Sequence, residues 1–503
     1  MRHETGAAGK GASLNSQKIC LAVDLGASGG RVVAGIYDGN RLELAELNRF
    51  PNDPVKGTNG WHWNLEGLFA SVKDGIALAV KKYGEAVVSA GVDTWGVDYG
   101  LLDADGKLLC APFQYRDRRT QGMEEAAFRR MPRQEIYERT GIQFLFFNTL
   151  FQLLAESPAR LERAKHLLFM PDLIHYFLTG VAVNEKTIAS TSQLLNPGTQ
   201  EWEQEVIKAM GFPGRIFGRL VDAGTVLGKL RPHVMSEVGA KDLQVIAPAE
   251  HDTASAVVGV PAEESEPVFL SSGTWSCMGR ELKRPAISDA SFQATFSNEG
   301  GVFCTTRFLK NIAGMWLLQE SKRIWDAAGS SAGYADLITR AKKSPPFAAL
   351  IDPDAADFQA PANMLDAIDE FCRRTDQKPP ADTGANTRLI LESLALKYRF
   401  VKESLAQVTD KPIDRIYIVG GGSQNHLLNQ FTADALNCTV VAGPVEAASI
   451  GNIIMQLFAL GDVHSLAEGR SLIRRSFETN VFQPEKTGAW DEAYARFQNI
   501  LPH

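Results

Sequence analysis

The chain has 503 residues, 45% of them hydrophobic and 22% charged, with a formal net charge of −7. Such a length exceeds one hydrophobic core and calls for two domains, and the ordinary composition describes a soluble globular protein. The acidic balance excludes a general binder of nucleic acid or of anionic membrane, while a local basic pocket for a phosphorylated ligand stays permitted.

Residues 1–17 are polar and small, lack the apolar centre of a signal peptide and read as a disordered tail. No apolar run is long enough to span a bilayer. The six cysteines are far apart and show no C-x-x-C spacing, which points to reduced, buried thiols in a cytoplasmic protein. The first predicted elements are strands at 18–24, 31–37 and 41–48, followed by a helix from Leu65 to about Tyr83 and one long strand, "VVSAGVDTWGVDYGLLD". From Arg119 to Thr179 the pattern is mostly helical. "GVPAEESEP", at 259–267, is acidic, carries two prolines and marks a domain boundary. Beyond it, "VFLSSGTWSCMG" repeats the opening strand–turn–strand arrangement, and helices are predicted at 308–328 and 388–407. The chain then reads strand, triple-glycine turn, helix, strand, helix from Ile413 to Gly461. Two halves that each begin with strand–turn–strand suggest a duplicated α/β unit facing itself across a cleft.

The opening turn, "VDLGASGGRVVAG", contains G-x-S-x-G, the pattern of a hydrolase nucleophile elbow. That elbow requires a helix after the serine, and here a β-rich run ending in Asp38-Gly39 follows. G-x-G-x-x-G and G-x-x-x-x-G-K-[ST] are both absent. What remains is a glycine-rich hairpin turn, either ordinary or shaped so that its N–H groups approach an anion closely. Asp24 at its entrance could hold a hydrated Mg²⁺.

Five segments concentrate polar groups that a buried strand tolerates only with partners. They are Asp93-Thr94-Trp95-Gly96 with Asp98, Tyr115-Arg116-Asp117, His251-Asp252-Thr253, Ser272-Gly273-Thr274 and Gly420-Gly421-Gly422. Asp252, between an apolar strand and a small-residue helix, is either a helix N-cap or a general base at a cleft, with His251 bonding a substrate hydroxyl. The triple glycine is either a tight turn or a nucleotide contact at a helix N-terminus. His62, His166 and His175 lack metal-ligand spacing.

These segments, with "YRDRRT", "GIQFLFFNTLFQL", "NEGG", "LKNIAGMWLLQE" and "AGPVEAASIGN", resemble in order and spacing the FGGY carbohydrate kinases, from about Lys18 to Phe482. The branch they resemble most is the one acting on L-rhamnulose. The resemblance implies an α/β fold of two actin-like (ribonuclease H-like) domains, at 18–260 and 261–490, flanking a catalytic cleft. It implies ATP- and Mg²⁺-dependent phosphorylation of L-rhamnulose to L-rhamnulose 1-phosphate in rhamnose metabolism. The alternatives are a kinase for L-fuculose or D-xylulose, or a non-catalytic sugar- or nucleotide-binding protein on the same fold. By position, Ala27, Ser28, Gly29, Gly30, Arg31, Thr274, Gln319 and Gly421 would contact ATP. Gly96, His251, Asp252, Thr253 and Asn311 would line the sugar site, with Asp252 the proton acceptor. Asp24 would position Mg²⁺ through water. Gly29 departs from the A-S-S-G-R common in the family's first turn, and the backbone donors of that turn survive the change.

Overall fold

The computed structural model describes residues 17–501 except Ser331 and Ala360, so nearly all of the expected tail lies outside the described residues. Among the described residues no helix is long and apolar enough to cross a membrane. Two sheets organise the molecule, and they share one plan. In the first, the strands run Thr225–Lys229, Gln244–Ala247, Val87–Thr94, Lys18–Gly26, Gly29–Tyr37 and Leu42–Pro51 across the sheet. Lys18–Gly26 pairs antiparallel with Gly29–Tyr37 and parallel with Val87–Thr94. In the second, Val268–Ser272 likewise pairs antiparallel with Trp275–Leu282 and parallel with Arg415–Val419. Each sheet then extends through a third antiparallel strand on one side and a further parallel strand on the other. The weak repeat in the sequence is therefore a real duplication of topology.

Lys18–Gly26 is buried along seven of its nine residues, as a strand covered on both faces must be. The helix Leu65–Tyr83 covers one face, its Asn64 side chain capping the Gly67 N–H. The long helix Thr383–Thr409 begins earlier than its apolar periodicity suggests, because the Asp382 carboxylate accepts from the Ala385 N–H and starts the helix there.

Three expectations need correction. The stretch 87–103 is two strands, not one: Val87–Thr94 belongs to the first sheet, whereas Tyr99–Leu102 pairs with His166–Phe169 elsewhere. Val97 between them has φ 69°, a left-handed conformation costly for a β-branched residue. It is held by the Thr191 hydroxyl, which accepts from Val97 N–H, and by the Thr149 hydroxyl, which donates to its carbonyl. The region 119–179 includes that His166–Phe169 strand among its helices. The predicted helix 308–328 is instead a strand, Thr306–Ala313, followed by the helix Trp316–Ala327. Pairing of "TRFLKNIA" with Trp275–Leu282 on one side and Ser297–Gly300 on the other overrides its local helical pattern.

The two halves meet where the helix Asp252–Val258 crosses the helix Ala447–Ala459. A Cβ at Gly451 would lie 1.8 Å from the Ser255 carbonyl oxygen, and one at Gly259 would lie 2.3 Å from the Ala447 carbonyl oxygen. Only glycine allows the backbones to approach so closely. Gly451→Val is therefore expected to cost about 3 kcal/mol or more by overpacking. Thermal melting measures the loss, and an unchanged melting temperature would show that the crossing can relax.

Candidate active site

The phosphate-turn residues sit at equivalent places in the two sheets. Gly26 pairs with Gly29, so Ala27 and Ser28 form the tip of the first hairpin, with Ser28 exposed. The residue after the turn enters an antiparallel strand, which removes the nucleophile-elbow reading of Ser28. Asn52 braces the tip, its side-chain amide donating to the Gly26 carbonyl at 3.0 Å. A Cβ at Gly30 would lie 2.4 Å from the Phe50 ring, and one at Gly29 would lie 3.1 Å from the Phe50 carbonyl oxygen, so glycine suits both positions. Arg31 ion-pairs with Asp24 at 2.7 Å and also with Glu446.

Thr274 lies at the tip of the corresponding hairpin, where Ser272 pairs with Ser276. The start of the helix Trp316–Ala327, which carries Gln319, is tied to this tip by Met315 N–H to the Gly273 carbonyl and Trp316 N–H to the Thr274 carbonyl. A Cβ at Gly314 would fall 2.7 Å from the Gly273 carbonyl oxygen, so Gly314 is needed for that junction. The triple-glycine turn leans on the same hairpin: a Cβ at Gly422 would lie 2.0 Å from the Ser272 hydroxyl. Gly421 itself is exposed, with open space beside it. The structure thus brings Thr274 and Gly421 to neighbouring turns of the second sheet, with Gln319 in the first turn of the helix tied to the Thr274 hairpin.

A second group gathers around Asp252. Thr94 N–H donates to the Glu250 carbonyl, so the Asp93–Gly96 segment runs beside His251-Asp252-Thr253. Asp252 is the first residue of its helix and the cap position is His251, whose side chain makes no capping bond. The Asp252 carboxylate, 31% exposed, accepts from Thr253 N–H at 2.5 Å and from the Thr253 hydroxyl at 3.1 Å. Burial raises the Asp252 pKa, the neighbouring His251 opposes the rise, and the negative Asp24 adds to it. Asn311, paired across the strands with Cys277, accepts from the Cys277 thiol at 3.0 Å and donates to the Gln143 side-chain oxygen at 3.3 Å. Phe147 stands edge-on to Trp275, centroids 6.4 Å apart, and so faces the second half from the first.

Asp24 and Asp93 are register partners on parallel strands. Asp93 is fully buried, which pushes its pKa well up, and the Asp24 charge pushes it further. Its Oδ2 accepts from Asn452 at 2.6 Å, whereas its buried Oδ1 has no hydrogen-bond partner among the described residues. Asp24 Oδ2 accepts from Arg31 and from Ser449 at 3.0 Å. Among the described residues no group of three or more His, Cys, Asp or Glu is placed to hold a metal directly. Ser449, Asn452, Gly314 and Gln143 were absent from the residues singled out in the sequence. The only signal for the first two was their place in "EAASIGN", an apolar helix with polar residues three apart.

Comparison with known proteins agrees with this geometry. The N-terminal domain of the FGGY family of carbohydrate kinases matches residues 19–259 and its C-terminal domain matches residues 268–460. The chain belongs to the FGGY family of carbohydrate kinases. A rhamnulokinase of Bacteroides thetaiotaomicron is 46% identical over 484 residues, 96% of this chain and 99% of that one. A rhamnulokinase of Enterococcus faecalis is 41% identical, covering 92% of this chain and 94% of its own. Among solved structures, a xylulose kinase from Lactobacillus acidophilus superposes with a TM-score of 0.80 at 17% identity, covering 96% of this chain and 97% of its own. Plasmodium falciparum glycerol kinase with ADP gives 0.73 at 15% identity, covering 96% and 97%. Both share the two-domain α/β fold with this FGGY kinase.

The loop that carries Gly96 in this kinase depends on Asp98. Its Oδ2 accepts from Trp63 and Trp95 indoles at 2.6 and 2.9 Å and from Tyr115 N–H at 3.2 Å, while Oδ1 accepts from Gln152 at 2.8 Å. Burial pushes the Asp98 pKa up to about 6 against these donors, so it is ionised at pH 7. Asp98→Asn turns an acceptor into a donor facing donors, at an expected cost of about 1–3 kcal/mol. Melting and the sugar KM should both worsen; a variant matching the parent in both would detach Asp98 from the loop.

Proposed function

We propose that the protein transfers the γ-phosphoryl group of ATP to L-rhamnulose, giving L-rhamnulose 1-phosphate. Family membership supplies the reaction class, and the rhamnulokinase relatives aligned along nearly their whole length support the sugar. The observation that carries the mechanism is the position of Asp252: a partly exposed carboxylate whose pKa is raised, beside His251 and next to the segment that runs alongside Asp93–Gly96. Phosphoryl transfer depends mainly on positioning and charge stabilisation, and the acceptor hydroxyl loses its proton as its bond to phosphorus forms. Asp252 takes that proton. The hairpin around Ala27, Ser28, Gly29 and Gly30 and the turns at Thr274 and Gly421 would hold the nucleotide by backbone N–H groups, with Gln319 beside them. Arg31 acts through Asp24 and Glu446, fixing the carboxylate at the turn's entrance.

The Asp24 and Asp93 carboxylates suit a hydrated divalent cation, because the unpartnered Asp93 Oδ1 and the repulsion between the pair are both relieved by nearby positive charge. Asp24 would hold Mg²⁺ through water. When bound, the ion neutralises charge on the β- and γ-phosphates. ATP and a free ketose as substrates support a cytoplasmic location.

Asp252→Asn keeps the acceptor for Thr253 but cannot take a proton. Its kcat should fall by about 10²–10⁴-fold with the melting temperature little changed; near-parental turnover would remove Asp252 from the mechanism. The 6-deoxy methyl of the sugar has apolar surface available at Phe146 and Phe147, the former 42% exposed. One buried methyl is worth only about 0.8 kcal/mol, and such pockets discriminate roughly 10–200-fold. A coupled assay should therefore rank L-rhamnulose first, with slow turnover of L-fuculose. A higher kcat/KM for D-xylulose or glycerol would overturn the assignment.

A further inference from the structure

The His251 ring lies between two carboxylates. Its Nε2 is 3.4 Å from Asp252 Oδ1 and its Nδ1 is 3.3 Å from Glu299 Oε2, which in turn is 3.0 Å from Arg307 Nη1. Arg307 is fully buried and Glu299 is 5% exposed. Among the described residues His251 Nδ1, Glu299 Oε2 and both Nη atoms of Arg307 are buried and none has an aligned hydrogen-bond partner, so each faces its neighbour as a close charged contact. Arg307 Nε donates to the Gly300 carbonyl at 2.8 Å, which fixes the guanidinium. His251 comes from the first half of the molecule, whereas Glu299 comes from the edge strand of the second sheet and Arg307 from the strand next to it.

We infer that Glu299, anchored by Arg307, is a positioning residue that holds His251 with its proton on Nδ1 and so leaves Nε2 as a bare acceptor facing the sugar. Burial opposes ionisation of Glu299, but Arg307 and His251 hold its carboxyl below the usual range, so it stays an anion. The unpartnered anionic oxygen of Glu299 facing Nδ1 calls for a donor there, whereas Asp252 Oδ1, already satisfied by the Thr253 N–H and hydroxyl, makes no such demand on Nε2. Nε2 then stands as an acceptor beside the Asp252 carboxylate, whose Oδ1 is taken by Thr253 and whose Oδ2 is left, so that the two match two donating hydroxyls on one sugar. The opposite tautomer would point a third donor at Asp252 Oδ1 and remove Nε2 as an acceptor for a hydroxyl. Because the contact joins the two halves, this tautomer is set only when they are assembled. The inference rests on the proposed kinase reaction for its consequence, though not for the tautomer.

Two measurements test it. With ¹⁵N-labelled histidine, and with His251→Asn to assign the signal, nitrogen–proton correlation spectra of the intact protein should show His251 protonated on Nδ1. Protonation on Nε2 alone would overturn the inference, and this readout needs no substrate. The second measurement is kinetic. Glu299→Leu with Arg307→Met removes the buried pair without leaving a lone charge, a replacement that buried ion pairs often tolerate. The kcat/KM for the sugar should fall at least about tenfold while the KM for ATP changes less than about twofold. Glu299→Gln keeps an oxygen facing Nδ1 and should recover part of the loss. A folded double variant with unchanged sugar kcat/KM, or one losing ATP and sugar affinity equally, would overturn the inference. If another ketose is the better substrate, the comparison is made on that ketose, and the L-rhamnulose assignment alone falls.

Discussion

The close crossing of Asp252–Val258 and Ala447–Ala459 is the constraint on which the site depends. Glycine at 451 and 259 lets two helix backbones touch, and the crossing places the start of one helix, with Asp252, beside the polar face of the other. That face supplies Ser449 to Asp24, Asn452 to Asp93, and Gln456 to the Leu21 carbonyl and the Ser89 hydroxyl. Carboxylates at the carboxyl ends of the first sheet's strands thus find donors on a helix more than 350 residues away. Buried charge without such partners is strongly unfavourable. The second half is therefore part of the first half's site, and neither sheet alone would hold the acidic group in place.

Duplication explains why the site divides as it does. Each sheet offers a hairpin at the same topological place, one tipped by Ser28 and the other by Thr274. Backbone N–H groups at such tips are fixed by pairing and cost no reorganisation when an anion binds. The halves differ in what they add. The first carries the acidic groups and the aromatic segment at Phe146 and Phe147, and the second carries the glycine turn at 420–422 against Ser272.

Polar side chains in the cleft are held by others behind them. Asn311 is fixed by Cys277 and Gln143, the loop after Gly96 by the Val97 N–H to the Thr191 hydroxyl, and His251 faces Glu299 at 3.3 Å. Such backing keeps groups within the narrow geometric tolerance that phosphoryl transfer demands.

The sequence by itself determined the elements whose cause is local. The hairpins around Ala27-Ser28 and Gly273-Thr274 follow from small residues between β-rich runs, and the helix Leu65–Tyr83 from its cap and periodicity. It also placed Asp252 at a strand-to-helix junction, and the ordered run of turns marked the family. Tertiary structure decided what depends on distant partners. The strand Thr306–Ala313 exists because two neighbours pair with it, and the break at Val97 because Thr149 and Thr191 hold it. The quoted motifs contain Ser449, Asn452 and Glu299, but their roles and that of Arg307 could not be read locally, because a polar side chain acquires a role only from the charge it meets across the fold.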